Sequence, residues 1–253
     1  FISLGFFIIE DIDKNKFSIK IYANDRMIKF EKDYSTGLTF PATIKDITLD
    51  IANKAGVKLK TNTFVNSDYL VSIKPDLTDI TLRKALMYIA ELAGGYARIS
   101  RDGYLEIFNI DVSVESNFNY ASESLYTDEI INDELSSYDY NTVTGDNLIT
   151  FSNKAFTVSK IDKVIVEITG IKEELGDGEN TYYIVDNLFC QNPAAVIKNI
   201  YDVLSKISYV PYDIKLQGNP ALQVGDNITI SNNGTLINTL ITSRTLAYAG
   251  GLT

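Results

Sequence analysis

Residue types that carry most enzymatic chemistry are scarce in this chain of 253 residues, which has no His and a single Cys, Cys190. Without His there is no Ser-His-Asp triad, no Cys-His dyad, no imidazole general base and no His metal ligand. A single Cys excludes internal disulfides and a thiolate zinc site within one chain. Cys190 stands beside Phe189 and reads as a small buried core residue, consistent with folding in a reducing cytoplasm. Carboxylates remain. The run Glu173-Glu174-Leu175-Gly176-Asp177-Gly178-Glu179 holds four acids, and paired carboxyl groups about 5–10 Å apart on a rigid cleft hydrolyse glycosides. A Gly-broken loop is a poor platform for such geometry. The segment therefore reads as a solvated hairpin loop, with a cation or partner contact as the sharper alternative. Asp11, Asp13 and Asn15 mimic the first half of a calcium loop, but Lys16 stands where that loop needs Gly and Tyr22 where it needs the bidentate Glu. A polar turn is expected there. Gly94-Gly95 and Gly250-Gly251 lack the spacing of a phosphate-binding loop and the Lys-Ser/Thr that should follow. Arg26 and Arg244 each follow a β segment and read as ion-pair anchors or as single exposed arginines. No catalytic residue, cofactor or metal is expected.

Composition narrows the classes further. Hydrophobic residues make up 45% and charged residues 22%, an ordinary globular balance. Lys and Arg number 23 against 33 Asp and Glu, a net charge of −10. Nucleic-acid clamps and anionic membrane surfaces need clustered cations, so neither stable DNA or RNA binding nor membrane attachment is expected. No apolar run approaches the ~20 residues that span a bilayer. The apolar start Phe1–Ile9 runs into Glu10-Asp11 without a basic segment before it, and reads as a buried strand rather than a signal peptide. The chain starts on Phe1 rather than Met, and an upstream portion is expected. Sixteen Tyr and twelve Phe suit strand cores and oligomer interfaces, or a stacking surface for sugars or bases.

The elements that would position these residues follow from periodicity. Residues 1–40 read as β, with a hairpin turning at Asp13-Lys14-Asn15-Lys16 before Phe17–Ala23. Ile44, Ile47, Ile51 and Ala55 then recur at helical spacing, with Thr43 and Asp46 as a capping pair and Gly56 as the stop. Val57-Lys58-Leu59 is a short strand candidate. A second helix carries Leu82, Leu86, Ile89 and Ala93 and ends at Gly94-Gly95. Tyr96–Ile99 and Tyr104–Ile107 flank Arg101-Asp102-Gly103, a hairpin signal because Gly supplies positive φ. Residues 111–160 form a polar linker passing into new strands. A strand within Val158–Ile168, a charged loop over Lys172–Asn180 and a strand at Tyr182–Val185 follow. Asn192-Pro193 begins a helix reaching residue 207, with Asn192 as cap and Val196, Ile197, Ile200, Leu204 and Ile207 on one side. Strands return at Tyr212–Gln217, Asn227–Ser231 and Thr235–Arg244. The chain is expected to be α+β and multi-domain, with a small two-helix α/β domain over 41–110 and one further helix.

Five strings in order along the chain carry a family likeness: Ala23-Asn24-Asp25-Arg26-Met27, Tyr88–Gly95, Tyr182–Asn187, Gln217–Leu222 with Gly225-Asp226, and Ser243–Leu246 with Tyr248 and Gly250-Gly251-Leu252. Together they resemble the hub protein of bacteriophage tails and phage-derived bacteriocins, a family that includes baseplate hubs and the N-terminal part of tail-associated lysins. The resemblance implies a homotrimer whose chains each give two tube-type β-barrels, six barrels in all to match a sixfold tail tube. Residues 1–40 then represent the remaining part of a first barrel whose N-terminal strands are missing. Residues 161–253 represent the second barrel with an inserted helix at 193–207. It also implies a structural role at the virion tail tip, assembled in the bacterial host cytoplasm. The implied partners are a distal tail or tail-tube ring, a tape measure protein and a central spike or tip protein. Glu173, Glu174, Asp177, Glu179, Arg26 and Arg244 become candidate interface or channel residues. The competing readings are the non-catalytic region of a tail-associated cell-wall hydrolase and a secreted carbohydrate-binding β-protein.

Overall fold

A computed structural model of the chain describes residues 4–110, 142–143, 148–153, 158–217, 219–232 and 235–247. Its contacts divide the chain into two units, one of residues up to 110 together with 160–206, the other of 111–159 together with 207–253. The sequence reading closes the small α/β domain at 110 and gives 161–206 to the next one. In the structure the packing joins 160–206 to the first unit, because the segment shares one apolar core with it.

The first unit opens on a hairpin of β1 (Phe7–Lys14) and β2 (Ile19–Asp25). The Asn15 side chain shapes its turn by accepting from the N–H groups of Phe17 and Ser18, each at 2.9 Å. Strand structure then stops. Residues Arg26–Phe30 form a 3-10 turn capped by Asp25, and the chain to residue 41 runs without strands, anchored by buried Phe30 and Tyr34. The β expectation for 1–40 thus holds for the hairpin alone.

Two short strands, β3 (Ala42–Thr43) and β4 (Leu70–Val71), pair beside the first helix, α1 (Ile44–Ala55). Thr43 and Asp46 form the expected capping box, and Gly56 ends the helix at φ 66°. Ile44, Ile47 and Ile51 are fully buried, each such side chain being worth about 1.5–3 kcal/mol of transfer from water. Helix α2 (Leu82–Ala93) buries Leu82, Leu86, Ile89 and Ala93 and ends at Gly94, φ 59°. It packs against α1, against the hairpin of β5 (Tyr96–Ile99) and β6 (Leu105–Phe108), and against α3 (Pro193–Leu204). Val57-Lys58-Leu59 contributes only one bridge, Leu59 to Leu105, rather than a strand.

The joined segment adds a three-stranded sheet ordered β10-β9-β11 and covered on one face by α3. Its strands are β9 (Lys163–Ile168), β10 (Ile171–Gly176) and β11 (Thr181–Val185). β9 pairs antiparallel with β10 through a two-residue turn, Thr169-Gly170, both at positive φ, and parallel with β11. Lys172–Gly176 is thus strand, not loop. Its charged residues are compatible with an edge position, where one face meets solvent. Helix α3 starts with Pro193 in its first turn, but Asn192 makes no side-chain cap bond, and the helix ends at Leu204, so Ile207 lies beyond it.

In the second unit β7 (Thr142–Val143) and β14 (Thr235–Leu240) flank β13 (Asn227–Asn232), while β8 (Leu148–Asn153) pairs with β12 (Tyr212–Leu216). Leu222, Ile228 and Ile230 form its core, with the Phe151 and Tyr212 rings stacked at 4.9 Å. The described strands make several small sheets and no closed barrel, so the architecture shown is mixed α/β with three helices among the described residues. Most of the expected linker, and Gly145, Gly250 and Gly251, lie outside those residues.

Candidate functional site

Among the described residues no group of three or more Cys, Asp or Glu side chains is placed to hold a metal ion. Among those residues too, no helix is long and apolar enough to cross a membrane. The candidate residues fall instead on strands and turns, with Glu174, Asp177 and Glu179 exposed and Arg26, Glu173 and Arg244 half-buried.

Of the four acids, Glu173 and Glu174 lie within β10, and Asp177 and Glu179 follow it on the way to β11. Glu174 accepts from Lys163 Nζ at 2.7 Å and from Lys172 Nζ. These two bonds, Lys163 first, hold its carboxyl down to about 2, so its charge is already met on the sheet surface. Glu173 is opposite buried Val166 and half-buried on the α3 side of the sheet. Asp177 and Glu179 are exposed on the loop from β10 to β11. That loop crosses the chain entering β9: the N–H of Asp162 donates to Asn180 O at 2.9 Å, and Asn180 Nδ2 donates to Lys160 O at 2.7 Å. A Cβ on Gly176 (φ +89°) would press on Asp162 O, and one on Gly178 on the Asp162 side chain. The glycines serve a close backbone crossing rather than flexibility.

Both candidate arginines hold turns together. Arg26 Nη1 donates to Gly103 O at 3.0 Å in the β5–β6 turn, and its guanidinium lies 4.8 Å from the Phe6 ring centroid. Arg244, in the second unit, donates to Leu222 O and, at 3.5 Å, to Pro220 O. Neither makes its described bonds to the acidic group at 173–179.

Among the described residues, exposed large apolar side chains cluster on the β1–β2 hairpin. Its register sets Ile12 opposite Ile21, Ile9 opposite Ala23 and Lys14 opposite Ile19, with a bulge between Ile9 and Asp11. Period-two alternation therefore puts Phe7, Ile9, Ile12, Ile19, Ile21 and Ala23 on one face. Ile12, Ile19 and Ile21 are 52%, 61% and 57% exposed. The other face is polar: Asn24 Nδ2 donates to Glu10 at 2.6 Å, and Lys20 Nζ lies 4.5 Å from the Tyr22 ring. Exposed apolar surface of this kind marks contacts with a protein, a membrane or a ligand.

Sequence reading missed the polar side chains that bind 160–206 into the first unit. Tyr69 Oη accepts from the N–H groups of Gln191 and Asn192, both at 2.8 Å, and so pins the chain as it enters α3. Gln191 clamps the chain after β4, accepting from Ser72 N and Ile73 N and donating to Ile73 O. Asn66, at φ 59°, donates to Leu92 O at 2.7 Å and Val196 O at 3.2 Å, the carbonyls of α2 and α3. Asn187, almost fully buried, donates to Tyr88 O at 2.8 Å and Glu91 Oε2 at 2.9 Å. Burial pushes the Glu91 carboxyl up, and burial followed by the Glu91 charge pushes the Tyr182 phenol up to about 12. Burial also pushes the Cys190 thiol up to about 11, so it remains protonated in the core.

No protein-family model matches the sequence, and no curated protein matches it. Solved structures do. The chain is similar to the 43 kDa tail protein of prophage MuSo2 from Shewanella oneidensis, with a TM-score of 0.52 and 15% identity over 92% of this chain and 71% of that one. It is also similar to the tail protein from Neisseria meningitidis MC58, with a TM-score of 0.53 and 14% identity over 91% of this chain and 70% of that one. At such identities the likeness is one of fold, and it extends over both units.

Proposed function

We propose that the chain is a structural protein of a phage or phage-like tail, and within it the hub at the tail tip. In this reading three copies form a ring that adapts a sixfold tail tube to a threefold tip and lines the central channel. Each copy gives two barrel-like domains, which neighbouring copies complete. The supporting observation is the fold shared with two tail proteins over more than nine-tenths of the chain. The five ordered strings that resemble tail hubs agree with it, and so does the exposed apolar face of the hairpin, a surface suited to burial between copies. Closed rings need one patch to meet a different patch on the next chain. The partners on this reading are a tail-tube ring, a tape measure protein and a central spike. The chain carries no catalysis of its own, and Glu173, Asp177, Glu179 and the hairpin are its candidate contact or channel residues. A particle reconstruction with this chain's density assigned tests the assignment: three copies around the axis at the tip are expected, and one or six copies there would overturn it.

A further inference from the structure

Packing alone does not fix the direction of the β1–β2 hairpin, since none of its residues is buried. An isolated two-stranded hairpin is marginal in water. Its base is different. Phe6 immediately precedes β1 and Arg26 immediately follows β2, and one guanidinium reaches both legs and the core. Arg26 lies over the Phe6 ring, while its Nη1 donates to Gly103 O at 3.0 Å. The next anchor along the chain is Phe30, fully buried at the end of the 3-10 turn that Asp25 caps.

Gly103 completes the contact. At φ +76° it takes a backbone conformation that L side chains avoid, and a Cβ there would lie 2.6 Å from Arg26 Nη1 and 3.1 Å from the Phe6 ring. The turn is thus shaped to receive the stacked pair. A charge-assisted bond to a carbonyl fixes position, and a cation over a ring fixes its height above the turn.

We propose that Phe6, Arg26 and Gly103 form a pivot that aims the β1–β2 hairpin as a strap whose order is separate from that of the α/β core. Arg26 is its positioning residue. The inference does not depend on the tail assignment, since it concerns one chain in isolation.

Spin labels at Lys16→Cys on the hairpin turn and Lys54→Cys on the last turn of α1 read the strap's direction as a distance distribution, with buried Cys190 left in place. A narrow distribution is expected in the doubly labelled chain. Adding Arg26→Ala is expected to widen it about twofold while the helical melting transition stays within about 2 °C, because local and global order separate when few contacts join them. Phe6→Leu, which keeps the bond to Gly103, is expected to give an intermediate width. A distribution already broad without these substitutions, or one unchanged by both, would overturn the pivot. Loss of the helical transition in Arg26→Ala together with an unchanged width in Phe6→Leu would also overturn it, making Arg26 a core residue instead.

Discussion

The hydroxyl of Tyr69 pins the chain as it enters α3, accepting the N–H of Asn192 at 2.8 Å from 123 positions away in sequence. The same oxygen accepts from Gln191, so one phenol satisfies two backbone donors just ahead of α3. Tyr69→Phe keeps the ring and removes the acceptor. Leaving the part-buried Gln191 N–H unsatisfied costs about 1–3 kcal/mol, while the exposed Asn192 N–H can turn to water. Urea unfolding is expected to show a loss in that range, with faster amide exchange at the start of α3. Unchanged stability would mean that solvent replaces the phenol.

This contact also marks where sequence reading stops. Thr43 with Asp46, the Ile44-Ile47-Ile51 stripe and Gly56 are local signals, and they define α1 because capping and periodicity act within a few residues. The Asp102-Gly103 hairpin is legible for the same reason. β10 is not, since Lys172, Glu173 and Glu174 resemble loop residues until Lys163 and the α3 face give each a place. Asn66, Tyr69, Asn187 and Gln191 are ordinary polar residues until partners from another part of the chain meet them. Asn187 alone falls within a string singled out by the family likeness, and nothing in that string states its partner. Of the candidate residues, Arg26 and Arg244 read in the sequence as ion-pair anchors or single exposed arginines, and in the structure each donates to backbone carbonyls of a distant turn.

Glu91 should make the first unit's stability depend on pH. Its carboxyl is raised, chiefly by burial, and it lies in the last turn of α2, where the helix dipole also disfavours a negative charge. Lys84 on the same helix lowers it, Asn187 donates to it, and Tyr182 on β11 feels its charge. With the folded value above the unfolded one, the group's favourable contribution is full below the ordinary value of 4.5 and is lost as pH rises through the folded value. Glu91→Gln keeps an acceptor for Asn187 without the charge. It is expected to raise the melting temperature at pH 7 relative to the unsubstituted chain and to leave it nearly unchanged at pH 3.5. An equal shift at both pH values would assign the effect to packing instead.

Gly176 and Gly170 both have positive φ, at 89° and 83°, but only Gly176 meets a neighbour in the space a Cβ would take. Ala at Gly170 therefore adds conformational strain alone, about 1–2 kcal/mol. Ala at Gly176 adds that strain and also pushes the crossing loop off Asp162, and is expected to cost about 3 kcal/mol or more. Equilibrium denaturation of the two variants side by side gives the comparison. Equal losses would show that the crossing yields easily and that the close approach at Asp162 has little energetic weight.

The acidic balance bears on what a channel built from this chain would do to DNA. Each copy carries a net charge of −10, and a threefold ring triples it. A lumen lined with cations would gain affinity by releasing counterions and would slow a moving polyanion. Acidic or neutral walls repel phosphates over a range of about 8–10 Å at physiological salt. Glu174 adds little to such a wall because Lys163 and Lys172 already meet its charge, whereas Asp177 and Glu179 stand exposed on the crossing loop. The assembled ring is accordingly expected not to retard double-stranded DNA in a mobility-shift assay even at low salt. Asp177→Lys with Glu179→Lys should leave that result unchanged if the loop lies on the outer surface, and should produce salt-sensitive retardation if it lines the channel. Retardation by the unsubstituted ring, or a reconstructed lumen lined mainly by Lys and Arg, would defeat the conduit reading while leaving the tail assignment standing.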